Sequence, residues 1–357
     1  MVLRSTISAI SHAIPSRELR YEELEKRFGK KEVKSIFRMS GIRNRRVVEN
    51  GQCASDLAFA AAKRLLDEKE IDPDSIDLLT FASQTPDYRI PATASILQGK
   101  LKLGEHCCTF DINQACSSFC HSIMIGNSMI ISGQAKRALI LNGDALSTLI
   151  NPMDRGLTTL HGDAGTAALL EATENREEGI EFVKIGTDGN NYEKLMIPAG
   201  GARIPHSGAT SIEKSDESGS IRNMDQLYMD GPSVFHFSVY KVPEVINKFL
   251  EEEKKKIDDY DTILLHQANK TMVDLIYRAL SVPDHKRFYY LENVGNSSGA
   301  SLPSLLSEAW RSGAIKPGDR TLLCAFGGGL SWGVISVRWS DKKNVAVAGK
   351  VDTPHKS

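Results

Sequence analysis

A cysteine stands where an apolar run meets a helical segment, in Phe110-Asp-Ile-Asn-Gln-Ala-Cys-Ser-Ser-Phe119. A thiol at a helix N-terminus lies at the positive end of the aligned peptide dipoles, and these dipoles favour the thiolate over the thiol. The pattern therefore predicts that Cys116 is a nucleophile near neutral pH. Its own backbone N–H could hold the oxyanion that forms when the sulfur attacks a carbonyl carbon.

Two candidate partners come much later, His266 in Leu264-Leu-His-Gln-Ala-Asn269 and Asn296 in Val294-Gly-Asn-Ser-Ser-Gly-Ala-Ser-Leu-Pro303. Taken singly, the histidine fits a hydrogen-bonded core residue equally well, and the asparagine is more typical of a helix cap or turn. Together with a cysteine they outline an acyl-transfer site. A neutral imidazole and an amide can both donate to one carbonyl oxygen and stabilise an enolate. In a hydrolase, the histidine would instead be the base and the asparagine its orienter.

A glycine run, Phe326-Gly-Gly-Gly-Leu-Ser-Trp-Gly333, follows a predicted strand. It lacks the spacing and the following helix of a dinucleotide-binding loop. By itself it is typical of a turn between two strands, but glycines also let a backbone approach another group closely. We assign the second oxyanion donor to the backbone N–H of Gly328.

The composition bounds the class of protein. The 357 residues are 41% hydrophobic and 25% charged, which allows a large core in one or two domains. The net charge of −1 gives no indication of nucleic-acid binding. No stretch reaches the roughly 20 apolar residues of a membrane span, and the N-terminus lacks a secretory pattern. We expect a cytoplasmic protein without disulfides, metal or cofactor, since Cys116 and Cys120 alone are too few ligands for zinc.

Short β-rich runs alternate with helical segments, which predicts an α/β fold with strands covered on both faces. The predicted strands are Thr6–Ala13, Asp77–Ala82, Cys107–Ile112, Ala138–Asn142, Thr262–Leu265, Arg287–Leu291 and Thr321–Ala325. The predicted helices are Ala54–Lys69, Ala92–Leu101, Ser117–Ser132, Pro243–Lys255, Lys270–Leu280 and Ser301–Ser312.

Similar segments recur at nearly equal separations. An acidic loop before a strand appears twice, 184 residues apart (261 minus 77), and a Ser-Gly-containing turn appears twice, 180 residues apart (312 minus 132). The repeats predict duplicated halves, residues 1–172 with Cys116 and residues 173–340 with the histidine and asparagine. The site would form where the halves meet. Residues 341–357 are predicted to be a flexible tail outside the fold, and the loop 199–222 receives no role.

The motifs together resemble those of β-ketoacyl-ACP synthase III and its relatives in the thiolase superfamily. The resemblance rests on Asn113–Phe119, Leu160–Ala167, His266–Asn269, Gly295–Pro303 and Phe326–Gly333, together with Ser40–Arg43 and Asp154–Gly156. It implies a duplicated five-layered αβαβα fold, a homodimer and a catalytic set of Cys116, His266 and Asn296. It also implies that an acyl-CoA acylates the cysteine and that malonyl-ACP or malonyl-CoA then decarboxylates and condenses with the acyl group.

Some positions depart from the best-known bacterial pattern of this family. Ser35 and Met39 replace a tryptophan and an arginine that clamp the CoA nucleotide, while Arg155 retains the other side of the clamp. Ile90 replaces a phenylalanine that lines the acyl pocket of the partner subunit, which predicts more room for the acyl chain. We add Asn269 to the expected substrate-binding residues.

The residues that dock the acyl carrier protein in the family are also altered. Thr271 and His236 stand where the family has basic residues, with Lys270 and Arg278 as candidate substitutes. These changes favour a specialised enzyme, in secondary metabolism or surface-glycolipid assembly. The alternatives are an O- or N-acyltransferase that does not decarboxylate, a subunit of a heterodimeric condensing enzyme, and a cysteine hydrolase.

Overall fold

The computed structural model describes residues 4–175, 177–340, 345–347 and 351–353. In these residues the helices are α1 Tyr21–Phe28, α2 Lys30–Ser40, α3 Ala54–Glu68, α4 Thr93–Leu101, α5 Ser118–Ile131, α6 Arg155–Thr158, α7 Gly231–His236, α8 Val242–Glu252, α9 Lys270–Ala279 and α10 Ser301–Arg311. None of them is long and apolar enough to cross a membrane.

The strands comprise long members of two large sheets and several two-residue or three-residue pairs. They are β1 Arg4–Pro15, β2 Glu18–Leu19, β3 Arg45–Arg46, β4 Leu78–Ala82, β5 Cys108–Ile112, β6 Arg137–Asp144, β7 Ala164–Thr173, β8 Gly179–Thr187, β9 Leu195–Met196, β10 Lys214–Ser215, β11 Ile221–Arg222, β12 Tyr228–Met229, β13 Thr262–Leu265, β14 Arg320–Gly327, β15 Ser331–Arg338, β16 Ala346–Val347 and β17 Val351–Thr353.

The two large sheets have the same topology. From β1 the first runs β1-β7-β6-β4-β5, with β16 and β17 added outside β1, and from β8 the second runs β8-β15-β14-β13. In each sheet the first two pairings are antiparallel and the next is parallel. A parallel bridge between Ile263 and Arg287 occupies the place in the second sheet that β5 holds in the first. Equal strand order and direction support the predicted duplication, while the boundary at residues 172 and 173 stays a prediction.

Helices cover both faces of both sheets. Helices α3 and α4 pack on the outer face of the first sheet through Leu57 and Leu97, and α8 and α9 pack on the outer face of the second through Ile246 and Ile276. Helices α5 and α10 lie between the sheets, within a single buried apolar cluster. Full burial of one such side chain contributes about 1.5–3 kcal/mol. The five layers confirm the predicted αβαβα fold class.

Most predicted elements are present, but the prediction of a strand at Arg287–Leu291 is wrong. A 3₁₀ turn, Asp284–Lys286, precedes this segment, and only its first residue pairs with the sheet. The backbone N–H of Tyr290 donates instead to the side-chain oxygen of Gln267 at 3.3 Å. A side chain therefore takes a hydrogen bond that a continued strand would have used.

Strands β7, β8 and β15 and helices α1 and α2 were not predicted. Strand β7 is rich in alanine and glycine, residues with low strand propensity. Its composition follows from packing: a Cβ added at Gly165 would lie 2.2 Å from the backbone nitrogen of Ala58 in α3. Only small residues allow α3 to lie this close, so tertiary contact overrides local propensity.

The prediction that residues 341–357 lie outside the fold is wrong for the part that the structure describes. Strands β16 and β17 both pair in parallel with β1. The register joins Ile10 to Val347 and Ala13 to Val351. Residues 341–344, 348–350 and 354–357 lie outside the described residues.

Candidate active site

Two helix starts meet at the centre of the molecule. Cys116 lies in a 3₁₀ turn, Ala115–Ser117, that leads directly into α5. A second 3₁₀ turn, Ser298–Ala300, leads in the same way into α10. A Cβ added at Gly299 would lie 2.5 Å from Ser118 Oγ and 3.1 Å from the carbonyl oxygen of Ala115. The start of α10 therefore abuts the start of α5, close to Cys116.

Cys116 is buried against residues of the second half. Its Sγ lies 3.6 Å from Ser298 Oγ, which in turn receives a hydrogen bond from Gln84 Nε2 at 2.7 Å. A Cβ added at Gly327 would lie 2.8 Å from the sulfur. The predicted glycine run thus approaches the sulfur closely, as its composition suggested.

The expectation of a thiolate near neutral pH is wrong for the protein without substrate. Burial raises the pKa of Cys116 to about 12, because the interior solvates a thiolate poorly. The Ser298 hydroxyl and the backbone N–H groups of Cys116 and Gly328 act in the opposite direction without outweighing burial. The thiol is therefore protonated at neutral pH, and its proton must leave as the substrate reacts. The two N–H groups predicted as oxyanion donors nevertheless both lie against this sulfur.

Hydrogen bonds between the two halves hold the glycine run in place. The Ser331 hydroxyl donates to the carbonyl oxygen of Gly328 at 2.6 Å and lies 2.7 Å from Ser117 Oγ. His121 Nδ1 lies 3.0 Å from the carbonyl oxygen of Ser117. His121 is thus a packed residue that supports the start of α5.

His266 directly follows β13, whose bounds are as predicted, and is almost fully buried. Its backbone N–H donates to the carbonyl oxygen of Cys324 at 2.8 Å, and its ring packs edge-on against Phe326, with the ring centres 5.5 Å apart. Burial, with a further effect of the nearby His161, lowers the pKa of His266 to about 3. The imidazole is therefore neutral at neutral pH, and its Nδ1 has no hydrogen-bond partner among the described residues.

Asn296 is fixed through both its main chain and its side chain. Its backbone N–H donates to the carbonyl oxygen of Leu160 at 2.9 Å, and its carbonyl oxygen accepts from the N–H of Gly162 at 3.0 Å. Its side-chain oxygen accepts from the N–H of Ser298 at 2.9 Å, which leaves the amide N–H groups as the donors for a substrate. Ser298 then reaches the sulfur of Cys116, so asparagine and cysteine belong to one connected site.

Two residues of this site were not predicted. Ser298 contacts the sulfur, and His161 pairs with Asn296 in a parallel bridge and affects the pKa of His266. Both residues stand in motifs that the sequence singled out, but their contacts join distant parts of the chain. Sequence spacing alone gave no signal of them.

The remaining predicted residues lie in two places. Arg155 and Asn269 line a cavity of about 530 Å³, together with Met39 and Thr271. The Arg155 guanidinium pairs with Glu32 at 3.2 Å and donates to the carbonyl oxygen of Ser218 at 2.9 Å. Asn269 also caps α9, its side chain accepting from the N–H of Met272 at 2.8 Å. Ile90 lies elsewhere and is 87% exposed in the single chain.

Two positions that depart from the family pattern, Met39 and Thr271, line this cavity, whereas His236 lies elsewhere. Met39 is 58% exposed, and its carbonyl oxygen accepts from Thr271 Oγ1 at 2.6 Å. Lys270 pairs with Asp274 at 2.8 Å. The His236 ring lies against Tyr240 at the wall of a different cavity of about 670 Å³.

Comparison with known proteins agrees with this arrangement. The family profile of 3-oxoacyl-[acyl-carrier-protein (ACP)] synthase III matches residues 110–189, and its C-terminal profile matches residues 250–339. β-Ketoacyl-[acyl-carrier-protein] synthase III of Rhodopirellula baltica is 36% identical over 321 residues, which is 85% of this chain and 90% of the relative. The chain belongs to the β-ketoacyl-ACP synthase III family. It is accordingly an enzyme of the acyl-transferring condensing type.

Solved structures of synthase III enzymes share the fold closely. The 3-oxoacyl-(acyl-carrier protein) synthase of Burkholderia xenovorans has a TM-score of 0.90 and 31% identity, covering 98% of this chain and 97% of its own. The priming β-ketosynthase of the R1128 polyketide pathway has a TM-score of 0.83 and 27% identity, covering 95% and 97%. This synthase III family member therefore has thiolase-fold relatives with more than one described role.

Proposed function

We propose that the protein joins the acyl group of an acyl-CoA to a malonyl thioester with loss of CO₂. The observation that carries this proposal is the convergence at one sulfur of two backbone N–H groups, from Cys116 and Gly328, beside a neutral His266 and a fixed Asn296. All four groups are hydrogen-bond donors that need no charge. Such donors stabilise oxyanions and enolates without changing their own protonation.

In the first half-reaction the thiol of Cys116 attacks the thioester carbonyl of the acyl-CoA. A new carbon–sulfur bond forms, the bond to the CoA sulfur breaks, and the proton of the cysteine thiol ends on the departing CoA. The N–H groups of Cys116 and Gly328 hold the oxyanion of the tetrahedral intermediate. The cavity that Arg155 and Asn269 line is the proposed path for the CoA arm.

In the second half-reaction a malonyl thioester binds at the acyl-enzyme. The bond between its methylene and carboxyl carbons breaks, CO₂ leaves, and the electron pair forms an enolate. His266 and Asn296 donate hydrogen bonds to the enolate oxygen. The enolate carbon attacks the acyl group, and the Cys116 sulfur leaves and becomes a thiol again with one proton. The product is a β-ketoacyl thioester.

The proposed partner is a second copy of the chain. Strand β5 ends the first sheet, and the described residues place no further strand on its outer side. An open strand edge is a ready site for pairing with another chain. Ile90 is exposed near this edge and would line the acyl pocket of the other subunit. Its smaller side chain supports a proposal of longer or branched acyl groups.

The substrates of the second step are a malonyl group on an acyl carrier protein or on CoA. Exposed basic residues of α2, Lys31, Lys34 and Arg38, lie beside the cavity that Met39 lines and would suit an acidic carrier. The ion pair of Arg155 with Glu32 and the exposed Met39 support a donor that differs from the usual acetyl-CoA. The similarity to a priming ketosynthase of a polyketide pathway supports a role in specialised metabolism, and we propose that this role is cytoplasmic.

The proposal is tested in two stages with the full chain. Intact-mass measurement after incubation with a panel of acyl-CoAs should show one acyl adduct, on Cys116. Addition of malonyl-CoA or malonyl-loaded carrier protein should then release CO₂ and remove the adduct. An acyl-enzyme that releases no CO₂ would contradict the condensation and indicate acyl transfer to an alcohol or amine. Free acid without a retained adduct would indicate a hydrolase.

A further inference from the structure

His161 is a histidine of the active site to which the proposed reaction gives no role. It is 7% exposed and pairs in a parallel bridge with Asn296. The hydrogen bonds on either side, from Asn296 to Leu160 and from Gly162 to Asn296, hold this bridge in place. Its ring lies close enough to His266 to affect that residue's pKa. His161 is thus positioned by the same asparagine that the proposed reaction uses.

The His161 ring lacks a partner at one nitrogen. Its Nδ1 is buried and has no hydrogen-bond partner among the described residues, as is also true of His266 Nδ1. His12, a buried histidine elsewhere in the core, lies within hydrogen-bonding distance of Ser307 Oγ at 3.0 Å and of Tyr290 Oη at 3.1 Å through its two ring nitrogens. An unsatisfied buried polar group costs about 1–3 kcal/mol. Such a group beside catalytic residues indicates that a substrate supplies the missing partner.

A second cavity has His161 in its wall. It has a volume of about 380 Å³ and is lined by Arg17, Arg27, Glu49 and Thr158 in addition to the histidine. The segment 155–161 separates it from the 530 Å³ cavity that Arg155 lines. Two arginines against one glutamate give this cavity a net positive lining. The space next to His161 therefore suits an anionic group rather than an acyl chain.

We propose that His161 binds the carboxylate of the malonyl thioester and takes up a proton as it does so. This inference rests on the proposed function, because it assigns a binding residue for that second substrate. The buried imidazole is neutral in the empty site, where burial lowers the pKa of His161 to about 4. A carboxylate brought into contact favours the imidazolium, since a buried anion is stabilised by an adjacent cation. Because the malonyl carboxylate and the proton bind together, they add no net charge to the protein interior.

The proton has a definite destination in the reaction. When the bond between the methylene and carboxyl carbons breaks, the negative charge moves to the enolate and CO₂ leaves as a neutral molecule. The enolate carbon then forms the new carbon–carbon bond, and the Cys116 sulfur leaves as a thiolate. The proton carried by His161 ends on that sulfur. One proton is consumed for each CO₂ released, so charge and atoms balance.

The charged and titratable groups near His161 determine the expected pH dependence. Two of them interact with it electrostatically, His266 directly after β13 and Asp154 at the start of α6. Three more line the same cavity, Arg17, Arg27 and Glu49. All of them are kept in a His161→Phe variant, so the ratio of its KM to that of the wild type isolates the imidazole. A hydrogen bond to a charged group changes binding about 10-fold or more. We expect this ratio to be at least about 10 at pH 6 and to fall towards 1 by pH 9.

The experiment measures KM and kcat for malonyl-CoA and malonyl-loaded carrier protein on the preformed acyl-enzyme between pH 6 and 9. His161→Phe should acylate Cys116 at the wild-type rate, which also shows that it is folded, and should raise KM without lowering kcat. His161→Gln, which keeps a donor without a charge, should have an intermediate KM and a ratio that does not vary with pH. His12→Phe is the matched control: it should lower the melting temperature and leave KM unchanged.

Each outcome decides the inference. A KM ratio near 1 at pH 6, or a raised ratio that is constant with pH, would overturn the carboxylate contact while leaving the condensation intact. If the wild type becomes acylated but releases no CO₂, the proposed function fails and this inference fails with it. A lower kcat with unchanged KM would assign His161 to a different step and would also overturn the proposal.

Discussion

Helices α5 and α10 begin alike but serve the site in opposite ways. Each follows a 3₁₀ turn whose first residue has a left-handed backbone, with φ of 45° at Ala115 and 52° at Ser298. These residues lie 183 positions apart (298 minus 115), as do Cys116 and Gly299 (299 minus 116). The first turn presents a thiol at its second position, whereas the second turn presents only a hydrogen there.

The difference teaches how a duplicated unit becomes an asymmetric catalyst. Gly299 must lack a side chain because the start of α5 occupies that space, and its N–H donates to the buried carboxylate of Asp144 at 3.0 Å. In the proposed reaction the first half provides the nucleophile, Cys116. The second half gives up the equivalent position and contributes His266 and Asn296 from neighbouring loops. Although the turns before α5 and α10 have similar backbones, the junction between them has room for only one reactive side chain.

The strongest test of this difference between the two helix starts removes the one reactive side chain, the thiol of Cys116. Cys116→Ala should abolish acylation completely, because no other thiol lies between the two N–H donors. Intact-mass measurement after incubation with the best acyl-CoA should show no adduct. The control is Cys53→Ser, which keeps a polar residue at the start of α3 and should retain full acylation. An adduct of normal yield on Cys116→Ala would contradict the assignment of the nucleophile.

The contribution of the second half is tested at the side-chain amide of Asn296. Asn296→Ala should spare acylation and slow CO₂ release about 100–1000-fold, the usual effect of losing one oxyanion donor. Acylation is followed by mass and CO₂ release by a coupled assay. Asn293→Ala removes a nearby exposed amide that bonds to Asn44 and should change neither step. Equal losses in both half-reactions would refute the division of roles between the halves.

The need for a residue without a side chain in the turn before α10 is tested at Gly299. Gly299→Ala places a methyl group 2.5 Å from Ser118 Oγ, and relief of this clash should cost about 1–3 kcal/mol of the free energy of unfolding. Acylation should also slow, because the start of α5 must move. Urea denaturation and the acylation rate provide the two measurements. Gly99→Ala in α4, where the added carbon meets nothing within 4 Å, should not destabilise the protein. Unchanged stability of Gly299→Ala would show that the second turn needs no glycine.

A last test, which leaves stability at neutral pH aside, concerns acid stability. The unfolded chain binds a proton at His161 below about pH 6.5, whereas burial lowers the pKa of the folded residue to about 4. Stability contributed by the neutral form is therefore complete above pH 6.5 and is lost as the pH falls towards 4. In His161→Phe the free energy of unfolding should fall less steeply in this window, by up to about 1.4 kcal/mol per pH unit. Urea titrations of both proteins at pH 6.5, 5.5 and 4.5 provide the test, and parallel curves would contradict it.

Local sequence signals predicted the parts of the site that depend on chain neighbours. Cys116 precedes a helix as expected, and β13 has the predicted bounds, Thr262–Leu265, with His266 directly after it. The prediction of a thiolate at Cys116 was wrong because the spacing of residues does not show that the second half buries this side chain. Ser298 and His161 were missed for the same reason, since their partners come from distant segments.

The same limit applies to the fold. Strand β7 was missed because contact with α3 selects small residues that look unlike a strand. The pairing of β16 and β17 with β1 joins residues more than 300 positions apart, and no local pattern of the tail indicates it. The alternation of strand-like and helical segments predicted the layers of the fold. Which strands are neighbours, and where a strand forms despite low propensity, depends on packing between distant segments.

The C-terminal strands also limit what the first sheet can build. They lie on the outer side of β1, so the sheet ends there in strands of two and three residues instead of the twelve-residue β1. A very short edge strand offers another chain few backbone groups to pair with, whereas β5 at the opposite edge presents five consecutive residues. The C-terminal strands therefore favour pairing of two subunits at β5 over growth at both edges of the sheet.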